Sequence, residues 1–229
     1  MPRARGTTRQ PAHGRGGAAR EASATRRSAP ERGHASPLVP WTWLALVALA
    51  AVAVYANSLG GALLFDDVNA IRNNPFVRGA DVGGILTEPS WWGTARGPLW
   101  RPLTTLTFAL DHALHGLDPF GYHAVNVVLH AAVSVLLLVV FARVTAAPRV
   151  ALAAALLFAT HPIHTEAVAS VVGRAELIAA AGFFLAWRCW LGADAADAVP
   201  AGTRRVPAWA WVVGVVAAYF LAMGGKENA

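Results

Sequence analysis

Charged side chains are scarce in this sequence. They make up 14% of its 229 residues, where soluble domains carry about 25%. The shortfall excludes an ordinary soluble domain and points to a membrane protein. There is one cysteine, Cys189. It excludes an internal disulfide and leaves the redox compartment undetermined. Acidic residues are nearly missing from the start of the chain. Residues 1–37 hold eight Arg against two Glu, Glu21 and Glu31. A basic arm of this kind suits nucleic acid, but ahead of a spanning helix it is more simply a topology signal. No nucleic-acid partner is therefore expected.

What is present is apolar. Hydrophobic residues make up 55% of the chain and the mean hydropathy is +0.44. Residues 1–37 are rich in Ala, Arg, Gly, Ser and Pro and lack apolar periodicity, so they read as a disordered tail. The pair Arg26 and Arg27 resembles a twin-arginine signal. The apolar run that follows starts too far downstream and continues too long for a cleaved leader, so it reads as an uncleaved anchor.

A spanning helix needs about 20 mainly apolar residues. Five segments come close: about Leu38 to Leu59, Tyr122 to Val144, one from near Arg149, one from near Ala175 to Leu191, and Ala208 to Met223. Trp41 and Trp43 open the first, and Trp209 and Trp211 the last, as interfacial aromatics. The long stretch after the first span carries turn formers and the cluster Trp91, Trp92 and Trp100. Within it, Leu103 to Leu117 reads as a short interfacial helix. The expected fold is an all-α, polytopic helical membrane protein with about five spans and a long first outer loop. Basic residues orient it. The tail, the turn with Arg143 and Arg149, and the turn with Arg204 and Arg205 all belong on the cytoplasmic side.

That orientation brings the unusual polar residues to one face. Asp66 and Asp67 follow the first span. His123 opens the second, with Asn126 and His130 along the same helical face. The run HPIHTEAVASVVGRAEL, from His161 to Leu177, covers the outer ends of the third and fourth spans. The terminal GGKENA brings Lys226 and Glu227 to the end of the fifth. Ionisable residues near lipid usually face protein or a water-filled cavity. One alone would be an interfacial side chain reaching for water. The doubled acid and the matching residues on other helices favour a functional cluster.

Arg174 with Glu176 fits either a loop ion pair or an anion site balanced by its neighbour. Lys226 beside Glu227 fits a helix-end marker or part of the site. His161, His164 and Glu166 offer metal-ligand chemistry, but the histidines are three apart rather than four, and Pro162 disfavours helical geometry at His161. Hydrogen bonding in a polar pocket is the better reading. No cofactor is assigned, and a divalent cation stays open. His130 reads as an interhelical hydrogen bond. A carboxylate with cations at the outer surface suits transfer of a sugar from a lipid phosphate. The cations neutralise the leaving phosphate and an aspartate takes the acceptor's proton. A non-enzymatic membrane module is the alternative. A transporter is disfavoured, because its ionisable residues would lie near the midplane.

The strings FDDVNAIRNNPFV, SWWG, PLWRPLTTLTFALD, GYHAVNVVLHA and LLFATHPIHTEAVASVVGRAELIAA occur in that order. Together they resemble the transmembrane and tetratricopeptide-repeat O-mannosyltransferase (TMTC) family, from about Phe65 to Ala180 and again at the terminal KE. The resemblance implies a GT-C type glycosyltransferase with its site on the lumenal or outer side. It implies a polyprenyl-phosphate-linked mannose donor and Ser or Thr hydroxyls of an acceptor protein. By motif position it makes Asp66 and Asp67 the catalytic acids and Arg174 a donor-phosphate contact; Lys226 and Arg101 are expected beside Arg174 as further cations for the phosphate. For His161, His164, Glu166 and Lys226 it implies motif membership and no more; His123, Glu176 and Glu227 are expected with them among the pocket's polar residues. The family's later helices and its 34-residue repeats are not in this sequence. Residues 38–229 are thus expected to be the N-terminal part of the membrane domain, behind a cytoplasmic tail. The Ala- and Arg-rich composition suggests a bacterial plasma membrane.

Overall fold

A computed structural model describes residues 39–90, 99–197 and 206–227. They form helices and turns, with no strand among the described residues. The first helix, α1, is Trp41–Tyr55 and continues as a 3-10 turn, Ala56–Gly60. The outer-loop stretch then folds into a π-helical turn, Val68–Arg72, and three helices: α2 (Pro75–Arg78), α3 (Val82–Thr87) and α4 (Pro102–His115). Next come α5 (Pro119–Thr145) and α6 (Pro148–Thr160). The short α7 (Thr165–Ala169) follows a 3-10 turn, Pro162–His164. A second 3-10 turn, Val171–Gly173, leads into α8 (Arg174–Asp197), and α9 is Ala208–Gly225.

Among the described residues, four helices are long and apolar enough to cross a membrane: Trp41–Gly60, Pro119–Thr145, Val171–Ala195 and Ala208–Gly225. The chain is an all-α, polytopic membrane protein. The span expected near Arg149 is α6, an apolar helix of 13 residues. The expected interfacial helix is α4, whose start is set by Pro102 at its first position. Trp91, Trp92, Arg204, Arg205 and the basic tail lie outside the described residues.

Local chemistry fixes the helix ends. Asp118 caps α5 by accepting from the Phe120 N–H at 3.0 Å, with Pro119 at the first helical position. Asn74 caps α2, accepting from Phe76 N–H at 3.0 Å, and also donates to the Ser90 carbonyl. Ser90 Oγ accepts from the Arg101 N–H at 2.7 Å, which ties α2 to the start of α4.

Two packing modes hold the spans. Helices α1, α5 and α6 share a core of Val47, Ala51, Ala131, Leu138, Ala142, Ala151, Ala155 and Ala159. The α6 alanines recur every four residues, so one thin face lies against its neighbours. Helices α8 and α9 meet through glycines. A Cβ on Gly182 would lie 2.7 Å from the Ala218 carbonyl oxygen and from Ala222. On α9, a Cβ on Gly225 would lie 2.5 Å from Ile178. Small residues let helix backbones approach where lipid supplies no hydrophobic drive.

Candidate active site

The acid pair sits in a tight turn after the first span. Phe65 has φ +48° and is 89% exposed. An L-residue in that left-handed region costs about 1–2 kcal/mol. The turn is closed by Asp67. Its Oδ2 accepts from the Leu64 N–H at 3.1 Å and its Oδ1 from the Val172 N–H at 2.9 Å. The second bond joins positions 105 residues apart. Asp67 is 3% exposed, while Asp66 is half-buried. Burial pushes the Asp67 carboxyl up, against the pull of the Val172 and Leu64 amides.

Behind Val172, Arg174 begins α8 and is fully buried. Its Nε donates to Asn126 Oδ1 at 2.9 Å, Nη2 to the Tyr122 carbonyl at 2.9 Å and Nη1 to Thr107 Oγ1 at 3.2 Å. Asp111 Oδ2 lies 2.6 Å from Nη1, and the guanidinium covers the Phe108 ring at 4.7 Å. Asn126 in turn donates to the Ser170 carbonyl at 2.9 Å. Helices α4, α5 and α8 thus converge on one cation. The expected partner, Glu176, is not the one used, because Asp111 supplies the negative charge inside. A buried Arg needs a nearby acid and filled hydrogen bonds, and Asp111 meets the first need. Sequence reasoning passed over Asp111. The available signal was its being the single acid in the 14-residue helix α4.

His123 is buried beside this network, at a 1% exposure. A Cβ on Gly61 would lie 2.7 Å from its Nε2, so only glycine lets the chain pass. Neither ring nitrogen has a hydrogen-bond partner among the described residues.

At the rim, the pairing also differs from sequence adjacency. Lys226 pairs with Glu176, not with Glu227. Glu227 takes a two-point contact from Arg101, at 2.7 Å and 2.9 Å. Hydrogen bonding from Arg101 is the main cause that holds the Glu227 carboxyl down, at about 2. Thr104 Oγ1 donates to the Gly225 carbonyl at 2.9 Å, so the end of α9 is fastened to α4.

The histidines of the HPIHTEAV run form a separate aromatic group. His161 is extended at ψ 128°, as Pro162 dictates, and its Nδ1 accepts from the Ile163 N–H. Its carbonyl accepts from Tyr55 Oη at 2.7 Å. His164 lies 4.2 Å from the Phe158 ring and 5.3 Å from His130, centre to centre. His130 Nε2 is 3.1 Å from the Ala159 carbonyl, an interhelical contact. Glu166 is exposed. Among the described residues, no three His, Cys, Asp or Glu side chains converge as a metal site requires.

The chain is similar to known proteins over most of its length. Human protein O-mannosyl-transferase TMTC1 is 44% identical over 165 residues, covering 69% of this chain and 19% of that protein. Human protein O-mannosyl-transferase TMTC4 is 40% identical over 172 residues, covering 66% of this chain and 23% of that protein. The mouse TMTC4 protein is 36% identical over 193 residues, covering 76% and 26%. The chain thus spans about a fifth to a quarter of the length of these curated relatives. No family model matches it, and no solved structure matches it.

Proposed function

Over the matched residues the chain is a homologue of the TMTC protein O-mannosyl-transferases, and from that premise we propose that it carries part of a GT-C-like glycosyltransferase site. The reaction is transfer of a sugar, mannose by the relatives' names, from a polyprenyl-phosphate donor to a Ser or Thr hydroxyl of an acceptor protein. The site faces the extracytoplasmic side, with residues 1–37 as a cytoplasmic tail. The observation behind this reading is the Asp67–Val172 bond. It brings the acid-pair loop and the VVGRAEL turn together at the shared end of α1, α5 and α8.

The acceptor oxygen attacks the anomeric carbon. The bond from that carbon to the phosphate oxygen breaks, and the polyprenyl phosphate leaves with the electron pair. The hydroxyl proton passes to a carboxylate. We assign that base to Asp66, the more exposed of the two carboxylates. Both oxygens of Asp67 already accept backbone N–H groups, so Asp67 is a positioning residue that fixes its neighbour. Arg174 acts from inside, holding Tyr122, Asn126 and Asp111 in register, rather than touching donor phosphate. Lys226 and Arg101 stand at the rim, each matched by an acid.

The test is mannosyl transfer from a polyprenyl-phosphate donor in membranes carrying the full-length gene product. Asp66→Asn keeps size and removes proton acceptance, and loss of a general base typically lowers rate by about 10²–10⁴. Full activity in Asp66→Asn would move the base elsewhere, with Glu166 next. No transfer by the wild type from any lipid-phosphate sugar would replace the enzyme with a non-enzymatic membrane module. The complete internal neutralisation of Arg174 favours that second reading.

A further inference from the structure

The cations at the shared end are already matched by acids: Arg174 by Asp111, Arg101 by Glu227 and Lys226 by Glu176. Arg72 differs. It ends the π-helical turn, is exposed, and forms no ion pair with any described residue. It also lines a recess of about 250 Å³, with Ala62, Leu63, Leu117 and Pro119 as the other walls. Arg78, the other exposed arginine among the described residues of the loop, is not among those walls.

The walls locate the recess. Ala62 and Leu63 follow the end of the first span at Gly60, and Pro119 begins the second. The recess therefore opens where two helices leave lipid. Its chain neighbours are exposed and apolar: Leu64, Phe65 and Phe120. One guanidinium above an apolar hollow, at the edge of the bilayer, suits an amphiphile with a small anionic head. The planar fork of Arg matches phosphate oxygens in pairs. A hollow of this size is below the roughly 300–1,000 Å³ that encloses a drug-sized ligand. It holds a head and the first tail unit, and leaves the remaining tail in the bilayer.

We propose that the Arg72 recess docks the phosphate and first tail unit of an isoprenoid-phosphate lipid. This rests on the glycosyltransferase reading for its purpose, since such a lipid is the donor carrier there. It does not rest on that reading for its binding chemistry. The Arg72 guanidinium matches the anionic phosphate, and the apolar walls match one chain.

The test is direct binding. The chain is reconstituted in phosphatidylcholine nanodiscs, and a photoreactive polyprenyl phosphate is titrated in and crosslinked. Arg72→Gln is expected to weaken capture at least tenfold, and Arg72→Lys less. Ala62→Trp, which fills the hollow and keeps the charge, is expected to weaken capture similarly. Wild-type capture that Arg72→Gln leaves within twofold would overturn the proposal, as would absence of capture by the wild type. Phosphatidylglycerol or inorganic phosphate competing as well as polyprenyl phosphate would overturn the isoprenoid assignment in favour of a general anion site. Transfer assays separate this from the enzyme reading. Arg72-dependent capture without any transfer keeps the docking site and removes the enzyme. Transfer whose donor KM is unchanged in Arg72→Gln keeps the enzyme and removes the docking site.

Discussion

Arg174 is the residue on which the buried polar contacts converge. Removing one partner of a buried ion pair costs about 3–5 kcal/mol, because the other charge is stranded. Asp111→Asn should therefore lower the unfolding midpoint of the detergent-solubilised protein sharply, although Asp111 touches no proposed substrate. Arg174→Met in the same background should add less than its effect alone, since the two share one interaction. Additive losses would mean that Arg174 is held by Asn126 and Tyr122 and that Asp111 is incidental. The pair also marks a limit of sequence reading. That Arg174 needs an acid follows from burial, but its 63-residue separation from Asp111 hides the choice of partner. Adjacency pointed to Glu176 and, for Lys226, to Glu227. Arg174 and Glu176 stand two apart on α8 and so point to different faces, while Lys226 and Glu227 follow the end of α9 and pair with other elements instead.

At the scale of elements, the glycines between α8 and α9 set how closely these spans approach. Gly182→Ala places a methyl against the Ala218 carbonyl and Ala222 backbone, which cannot move as a side-chain tip can. Overpacking of this kind costs about 1–3 kcal/mol. A Cβ on Gly60 meets nothing within 4 Å, so Gly60→Ala is the neutral control. Thermal unfolding in detergent should separate the two, and equal midpoints would show that the α8–α9 contact is loose. Four of the five expected spans were legible in the sequence, because apolar length alone specifies a membrane helix, while the fifth, α6, is a shorter apolar helix. Their pairing was not, since an apolar surface looks the same to lipid and to protein. Only the placing of small residues distinguishes them, and Gly182 carries no such mark without its partner.

For the whole molecule, the ends that bear Asp67, Tyr122, Arg174 and Lys226 lie together, as alternating spans require. Which side of the membrane they face rests on the Arg bias of the tail and turns. In a Cys189→Ala background, a cysteine introduced as Ala80→Cys should react with an impermeant maleimide on intact cells. Reaction only after the cells are opened would invert the topology and with it the proposed access for acceptor proteins.

The shortness of α6 has a consequence for the bilayer. Thirteen residues rise about 20 Å at 1.5 Å each, against a hydrocarbon thickness of about 30 Å. Irregular backbone at that depth is tolerated where it is buried in protein or lines water. Between His161 and Gly173, three backbone groups are bonded by side chains of other elements: the His161 carbonyl by Tyr55, the Ser170 carbonyl by Asn126 and the Val172 N–H by Asp67. Local thinning of the lipid is one way in which a span this short is accommodated. Headgroups beside α6 would then sit deeper than elsewhere, and a membrane-bound phosphate would descend towards the acid pair instead of the acid pair having to rise to meet it.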